Sequence, residues 1–394
     1  MKMKLSLRQI RLTIFVLFFV LLSAVSGYWL GARQVKVERV LPDSKEEIDF
    51  SLFWDVWDRL AASYLDKAVL NPGQMVHGAI RGMVASLGDP YTVFLPPSDN
   101  KQAKEDLNGS FEGVGIQLGY KDGQLAVIAP LSGMPAEKTG VKAGDLILKI
   151  EDQETGEISL PEAVKLIRGL KGTPVKLTLL HQGEEEFYEV TIVRETIIIP
   201  SVEVELVANV AHLKLTRFGD QTSEQWRQAV GSIVNQPSVL GVVLDLRNNP
   251  GGYLSGSVFI ASEFLDSGVV VQQESANGTR EAFSVDRQGK LPKLPLVVLV
   301  NQGSASASEI VAGALQHYQR AKVVGEKTFG KGTIQEAQDL FGGSGLHITT
   351  ARWLLPSGQS IDGTGVVPDY EVKDDLETEE DEQLEKAISI LMSP

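Results

Sequence analysis

The chain has 394 residues, 43% hydrophobic and 22% charged, which fits two or three folded domains and excludes a disordered or fibrous polypeptide. Lys and Arg number 37 against 51 Asp and Glu, a formal net charge of −14, which argues against nucleic acid as a partner because that role needs basic patches. Cysteine is absent, so disulfides, thiolate zinc sites and a cysteine nucleophile are excluded. The five histidines (His77, His181, His212, His317, His347) are scattered and form no His-Glu-x-x-His helix. No metal and no cofactor is expected, and catalysis must avoid both zinc and histidine.

Lys2, Lys4, Arg8 and Arg11 precede residues 12–32, a stretch of 21 without a charge. A spanning helix needs about 20 apolar residues, so the length suffices for an anchor. Ala24-Val25-Ser26 followed by Gly27 also suits cleavage of a signal peptide, and both readings of residues 1–33 stay open. The basic flank predicts a cytoplasmic N-terminus with the rest translocated, so the protein is expected in the periplasm or cell envelope, membrane-anchored or secreted.

Residues 34–46 form a polar linker containing Pro42. A helical segment, residues 47–105, follows: Phe50, Phe53, Trp54, Trp57, Leu60 and Tyr64 recur at helical spacing over 48–65, and a second helix over 72–87 stops at Gly88-Asp89-Pro90. The pattern then changes to short strands at 113–117, 124–128, 146–150, 175–179 and 187–193, with helical pieces at 134–139 and 160–167. This order resembles a PDZ domain over 106–197, and Pro135-Ala-Glu-Lys-Thr-Gly-Val-Lys-Ala-Gly-Asp-Leu-Ile147 matches the pattern of bacterial protease-associated PDZ modules. Gly113, Val114 and Gly115 form a loop whose amides suit a chain-terminal carboxylate, and the strand from Ile116 offers an edge for β-augmentation.

From residue 198 strands alternate with helices: a strand at 210–215, a helix at 221–235, a strand at 240–246, a helix at 255–265, a strand at 296–300, a helix at 307–319 and a strand at 322–324. A mostly parallel, covered sheet is expected over 198–370. Residues 371–394 form an acidic tail, with nine carboxylates against two lysines between 371 and 386, and a helix over 384–391. That helix and the one bearing Trp54 and Trp57 either exchange between subunits of a homodimer or cover their own subunit's core.

The densest chemical signal lies between Asn301 and Gln335. The run Gly303-Ser-Ala-Ser-Ala-Ser-Glu309 follows an apolar strand and opens a helix, a position where free amides favour an oxyanion. Ser304 and Ser308 compete with Ser306 there, since each is also a plausible helix cap. With no histidine near, the candidate base is a lysine kept neutral by burial, because an ordinary lysine at about 10.4 stays charged. Lys331, between Gly330 and Gly332, fits such a niche, and in an extended chain Gln335 falls on its face and orients the amine. Gly325 to Lys331 also spells a P-loop, but Gly332 stands where Ser or Thr must ligate magnesium, and a strand rather than a helix is expected next.

Taken together, the chain resembles the carboxyl-terminal processing proteases, Ser-Lys peptidases that include the tail-specific proteases. The likeness rests on Gly82-Met-Val-Ala-Ser-Leu-Gly-Asp-Pro-Tyr-Thr92, the PDZ stretch, Leu244-Asp-Leu-Arg-Asn-Asn-Pro-Gly-Gly252, the Ser-Ala-Ser-Ala-Ser-Glu run and Gly325-Glu-Lys-Thr-Phe-Gly-Lys-Gly-Thr333. The resemblance implies an α/β fold, a crotonase-like catalytic core with an inserted PDZ domain and an N-terminal helical segment. It also implies a serine endopeptidase with Ser306 as nucleophile, Lys331 as base and Gln335 in support, an oxyanion hole at Ala307 and Gly252 (preferred to Gly251), and substrates with exposed apolar C-terminal tails. Arg168 resembles a PDZ position that links substrate arrival to the active site; its alternative is a solvated arginine at a helix end. A non-catalytic PDZ scaffold at the envelope is the competing reading of the whole chain.

Overall fold

The computed structural model describes residues 49–394 apart from 122, 157, 182, 185, 375–377, 379 and 394. The apolar stretch 12–32 and the linker 34–46, with the signal-or-anchor reading they carry, lie outside the described residues. Among the described residues no helix is long and apolar enough to cross a membrane.

Two compact units divide at Pro72. In the first, α1 (Ser51–Ser63) buries no residue; Phe53 packs edge-on against Phe50 and Trp54, and Leu52, Trp54 and Leu60 remain exposed. The second unit carries everything that bears on chemistry.

It opens with α2 (Pro72–Ala85), β1 (Val93–Leu95) and α3 (Pro97–Asn108). A β-rich body follows: β2 (Ser110–Gly113), β3 (Ile116–Lys121), β4 (Gln124–Pro130), β5 (Leu146–Ile150), β6 (Gln153–Glu154), α4 (Leu160–Ile167), β7 (Pro174–Leu180), β8 (Phe187–Val193) and β9 (Glu195–Ile198). Its main sheet runs β3-β4-β5-β7-β8, with β6 on β5, and encloses Val127, Ile147, Leu177, Leu179 and Ile192 in a core of its own. β3 ends the sheet, so its outer edge is unpaired, and α4 packs beside it. The strand expected over 113–117 is broken at Val114-Gly115. Gly115 has φ 76°, and the Val114 and Gly115 carbonyls accept the Ala136 and Leu131 amides instead of a ladder partner. β2 pairs with β9, tying entry and exit of the module together.

The remaining chain forms β10 (Val202–Val207), β11 (Val210–Leu215), α5 (Thr222–Val234), β12 (Gly241–Asp245), α6 (Leu254–Ala261), β13 (Val269–Ser275), β14 (Arg280–Ser284), β15 (Leu296–Val300), α7 (Ala307–His317), β16 (Lys322–Gly325), β17 (Thr333–Asp339), β18 (Gly345–Leu354), β19 (Tyr370–Glu371) and α8 (Glu382–Met392). Six strands in the order β10-β11-β12-β15-β16-β19 make one sheet, parallel from β11 onward, as the alternation predicts. The two-residue period sorts its side chains: Val242, Leu244, Val298 and Val300 join Trp226 and Phe264 in one core, while Val243, Val297, Leu299 and Val324 meet Ala387, Leu384 and Ile388 of α8 on the other. The tail helix therefore covers its own chain's sheet. A second, antiparallel sheet, β1-β18-β13-β14 with β17 on the free flank of β18, goes beyond the sequence expectation, which places only the strand after Gly332.

α8 is latched as well as packed. Arg247, just after β12, donates to both carboxylate oxygens of buried Asp245 at 2.7–3.1 Å and to both of Asp381 at 2.8 Å. Burial pushes Asp245 up, but hydrogen bonds from His212 and Arg247 outweigh it and hold the carboxyl at about 2. Arg247→Ala leaves buried Asp245 with only His212 as a side-chain partner and Asp381 without its arginine, and is expected to cost roughly 3–5 kcal/mol in denaturant unfolding above the ordinary aspartate value of 3.8. Because the folded value is the lower one, the difference from wild type should shrink as pH falls from 3.8 toward 2.

Candidate active site

Ser304, Ser306 and Ser308 part company in the structure. Ser304 and Ser308 are fully buried and their hydroxyls donate to the carbonyls of Leu246 (2.8 Å) and Asn249 (2.9 Å). Ser306 is half-buried, donates to no carbonyl among the described residues and lines an open cleft of about 680 Å³. It caps α7 with φ 54° and ψ −115°, a backbone region that costs a non-glycine residue roughly 1–3 kcal/mol and persists only where its surroundings impose it.

What imposes it is Glu309, wholly buried on the first turn of α7. Its Oε2 accepts the Ser306 N–H at 2.8 Å and the Lys331 N–H at 3.0 Å; its Oε1 accepts the Thr328 hydroxyl at 2.6 Å and the Gly330 N–H at 2.7 Å. One carboxylate oxygen thus pins the amides of the expected nucleophile and the expected base to the same point. The Trp353 indole holds the Lys331 carbonyl at 2.8 Å, so this backbone is fixed at both ends. Sequence reasoning missed Glu309, although Ser306-x-x-Glu309 spells a capping box.

Lys331 is half-buried in the same cleft. Burial pushes its ammonium below the ordinary lysine value against the opposing pull of the Asp89 and Glu309 carboxylates. Gln335 also lines the cleft, but its amide donates to Thr333 (2.9 Å) and Thr349 (3.1 Å), not to Lys331. Lys331 and Gln335 thus reach the same cleft, as alternation implies, although β17 begins only at Thr333 and its register shifts between Ile334 and Gln335.

The turn 248–252 faces Ser306. Asn249, fully buried, donates to Leu215 and accepts the Gly251 N–H at 2.9 Å, while the N–H groups of Gly252 and Ala307 have no acceptor among the described residues. Side chains are sterically impossible here: a Cβ on Gly251 would stand 2.8 Å from the Ser306 Cβ, and one on Gly252 2.1 Å from the Phe218 carbonyl. Two free donors beside one hydroxyl can stabilise a developing oxyanion. The P-loop reading fails on the same geometry. Gly330 and Lys331 give their amides to Glu309 and lead into β17, leaving no helix N-terminus for a phosphate.

On the PDZ side, Gly113, expected in the loop, ends β2 opposite Glu195, so only Val114 and Gly115 form the loop before Ile116 and the open β3 edge. Arg168, at the end of α4, is partly exposed but engaged: its guanidinium lies 4.3 Å from the Phe111 ring centroid and 3.1 Å from Glu105 on α3. Ala103, Asp106 and Leu107 of α3 line the cleft that holds Ser306.

The Peptidase family S41 model matches residues 209–372, a PDZ domain model residues 102–180, and a model for the activating protease CtpB N-terminal domain residues 31–98. The carboxy-terminal processing protease CtpA of Bacillus subtilis is 35% identical over 364 residues, spanning 92% of this chain and 77% of its own. The carboxyl-terminal-processing protease of a Synechocystis strain is 37% identical over 327 residues, 81% of this chain and 76% of that one. Among solved structures, a photosystem II D1 C-terminal processing protease superposes with a TM-score of 0.50 at 31% identity, covering 87% of this chain and 97% of its own. The chain belongs to the carboxy-terminal processing protease family, serine peptidases with an S41 core and a PDZ domain.

Proposed function

We propose that this protein is an extracytoplasmic endopeptidase that captures protein C-termini through its PDZ domain and cuts near them with a Ser306–Lys331 dyad. The observation that carries the reading is the shared Glu309 oxygen, which keeps both residues beside the unengaged Gly252 and Ala307 amides. Neutral Lys331 takes the hydroxyl proton as Ser306 Oγ attacks the scissile carbonyl carbon. The negative charge that forms on the carbonyl oxygen faces the Gly252 and Ala307 N–H groups, and the lysine ammonium then protonates the departing amine. Water, deprotonated by the same lysine, releases the acyl group and restores the serine.

A substrate tail adds to the β3 edge from Ile116, with its carboxylate on the Val114–Gly115 loop that follows Gly113. The Arg168–Glu105 contact gives that event a route to α3 and the cleft wall. The basic residues before the apolar stretch support a location across the membrane from the cytoplasm. Mass spectrometry of the ends produced from a protein with a disordered, apolar tail tests the reading. A free terminus should give cuts near that end, and an amidated one far fewer. Equal cutting of the two would remove carboxylate recognition, and fragments from a Ser306→Ala control would remove the nucleophile.

A further inference from the structure

Lys331 Nζ makes no hydrogen bond or ion pair among the described residues; it lies 5.0 Å from the centroid of the Tyr91 ring. The carboxylate that pulls on it most strongly is that of Asp89. Both belong to Gly88-Asp89-Pro90-Tyr91-Thr92, which in sequence reads as a helix stop and as part of the stretch that carries the family resemblance, with no role for either side chain. The turn is closely built. Asp89 accepts the Tyr91 N–H at 2.9 Å and the Thr92 hydroxyl at 2.7 Å, and buried Thr92 accepts the Thr349 N–H at 3.0 Å. The Thr349 hydroxyl accepts the Gln335 amide at 3.1 Å and helps hold the Asp89 carboxyl below its ordinary value. The turn is thereby fastened to β18 and, through Thr349, to the residue expected to support the lysine.

We propose that Asp89 and Tyr91 form a parking site for the Lys331 ammonium, holding the charged amine away from Ser306 until it loses its proton. The inference rests on the reading of Lys331 as the general base. Its logic is selective attraction: a ring face and a carboxylate both draw an ammonium, and neither draws a neutral amine. Deprotonation therefore weakens the hold on the resting position at the moment the amine becomes able to accept the Ser306 proton. Asp89 and Tyr91 are positioning residues, since neither lines the cleft. The other groups facing Lys331 do not substitute for them. Glu309 on α7 has its oxygens engaged by Ser306, Thr328, Gly330 and the Lys331 amide, and Asp362 accepts the Gly332 N–H. His347 on β18 is pushed toward its neutral form by burial and by Lys331 itself.

The test is the acid limb of kcat/KM in wild type, Asp89→Asn, Tyr91→Leu and Tyr91→Phe, with Lys331→Ala alongside. Asparagine keeps the turn's side-chain acceptor and removes the charge. Its limb should move to lower pH by about one unit, a tenfold change in the protonation equilibrium. Tyr91→Leu should move the limb the same way by less, and Tyr91→Phe, which keeps the ring, should leave it in place. A slower enzyme with an unmoved limb in both Asp89→Asn and Tyr91→Leu would mean that the turn is merely structural and would overturn the parking site while Lys331→Ala remains inactive. Turnover by Lys331→Ala at the wild-type rate would instead remove the dyad itself.

Discussion

Lys331→Ala is expected to lower kcat by on the order of 10⁴-fold or more while leaving substrate affinity and the fold in place, because removing the base of such a unit costs about as much as removing the whole unit. The fold should survive, since what the structure uses at this position is backbone: the amide on Glu309 and the carbonyl on the Trp353 indole. Lys331→Arg separates charge from basicity. It keeps a cation in the cleft, but a guanidinium does not deprotonate in a protein, so it should be as inactive as alanine. Wild-type activity should fall on acidification, because burial lowers the Lys331 value and only the neutral amine can accept the Ser306 proton. Activity is thus present above that lowered value and lost as pH drops through it. A flat profile down to about pH 5 or an active arginine variant would exclude a lysine base, the lowered value notwithstanding.

How far the sequence discloses this site depends on how far apart the cooperating residues lie. Ser306 and Lys331 sit in short runs whose glycines and small residues already imply tight backbone packing, and both reach the cleft. The edge of β3 is legible from the glycines before Ile116. Pairs made in space leave no local trace: Arg247 finds Asp381 134 residues away, and nothing in an acidic tail marks one carboxylate as a latch. The antiparallel sheet is hidden for another reason. The strand after Gly332 is expected, but Val269–Ser275 turns from Val to Gln and Glu halfway and Arg280–Ser284 is mostly polar, so hydrophobic periodicity does not mark out the rest of the sheet. Asp89 reads as a turn residue because it is one; that the turn also meets Lys331 is a tertiary fact.

Glu309→Gln should show how much of catalysis is backbone placement. The carboxylate accepts from four donors, two on each oxygen. An amide offers one acceptor oxygen and one donor nitrogen, so whichever way it turns, a pair of N–H or O–H donors meets an NH₂ group. If the nitrogen faces Ser306 and Lys331, both amides that position the dyad lose their partner. If it faces the other side, the Thr328 hydroxyl can rotate, but the Gly330 N–H cannot. Each orphaned buried donor costs about 1–3 kcal/mol, and the strained Ser306 conformation loses the acceptor of its own N–H when the nitrogen faces it. The expected result is a kcat roughly 10²-fold lower with KM little changed, since a displacement of about 1 Å at the reacting centre has an effect of that size. Glu309→Asp, a carboxylate too short to span both loops, should be impaired as well, which separates reach from charge. A Glu309→Gln enzyme with wild-type kcat would show that Ser306 and Lys331 hold their places without the shared carboxylate.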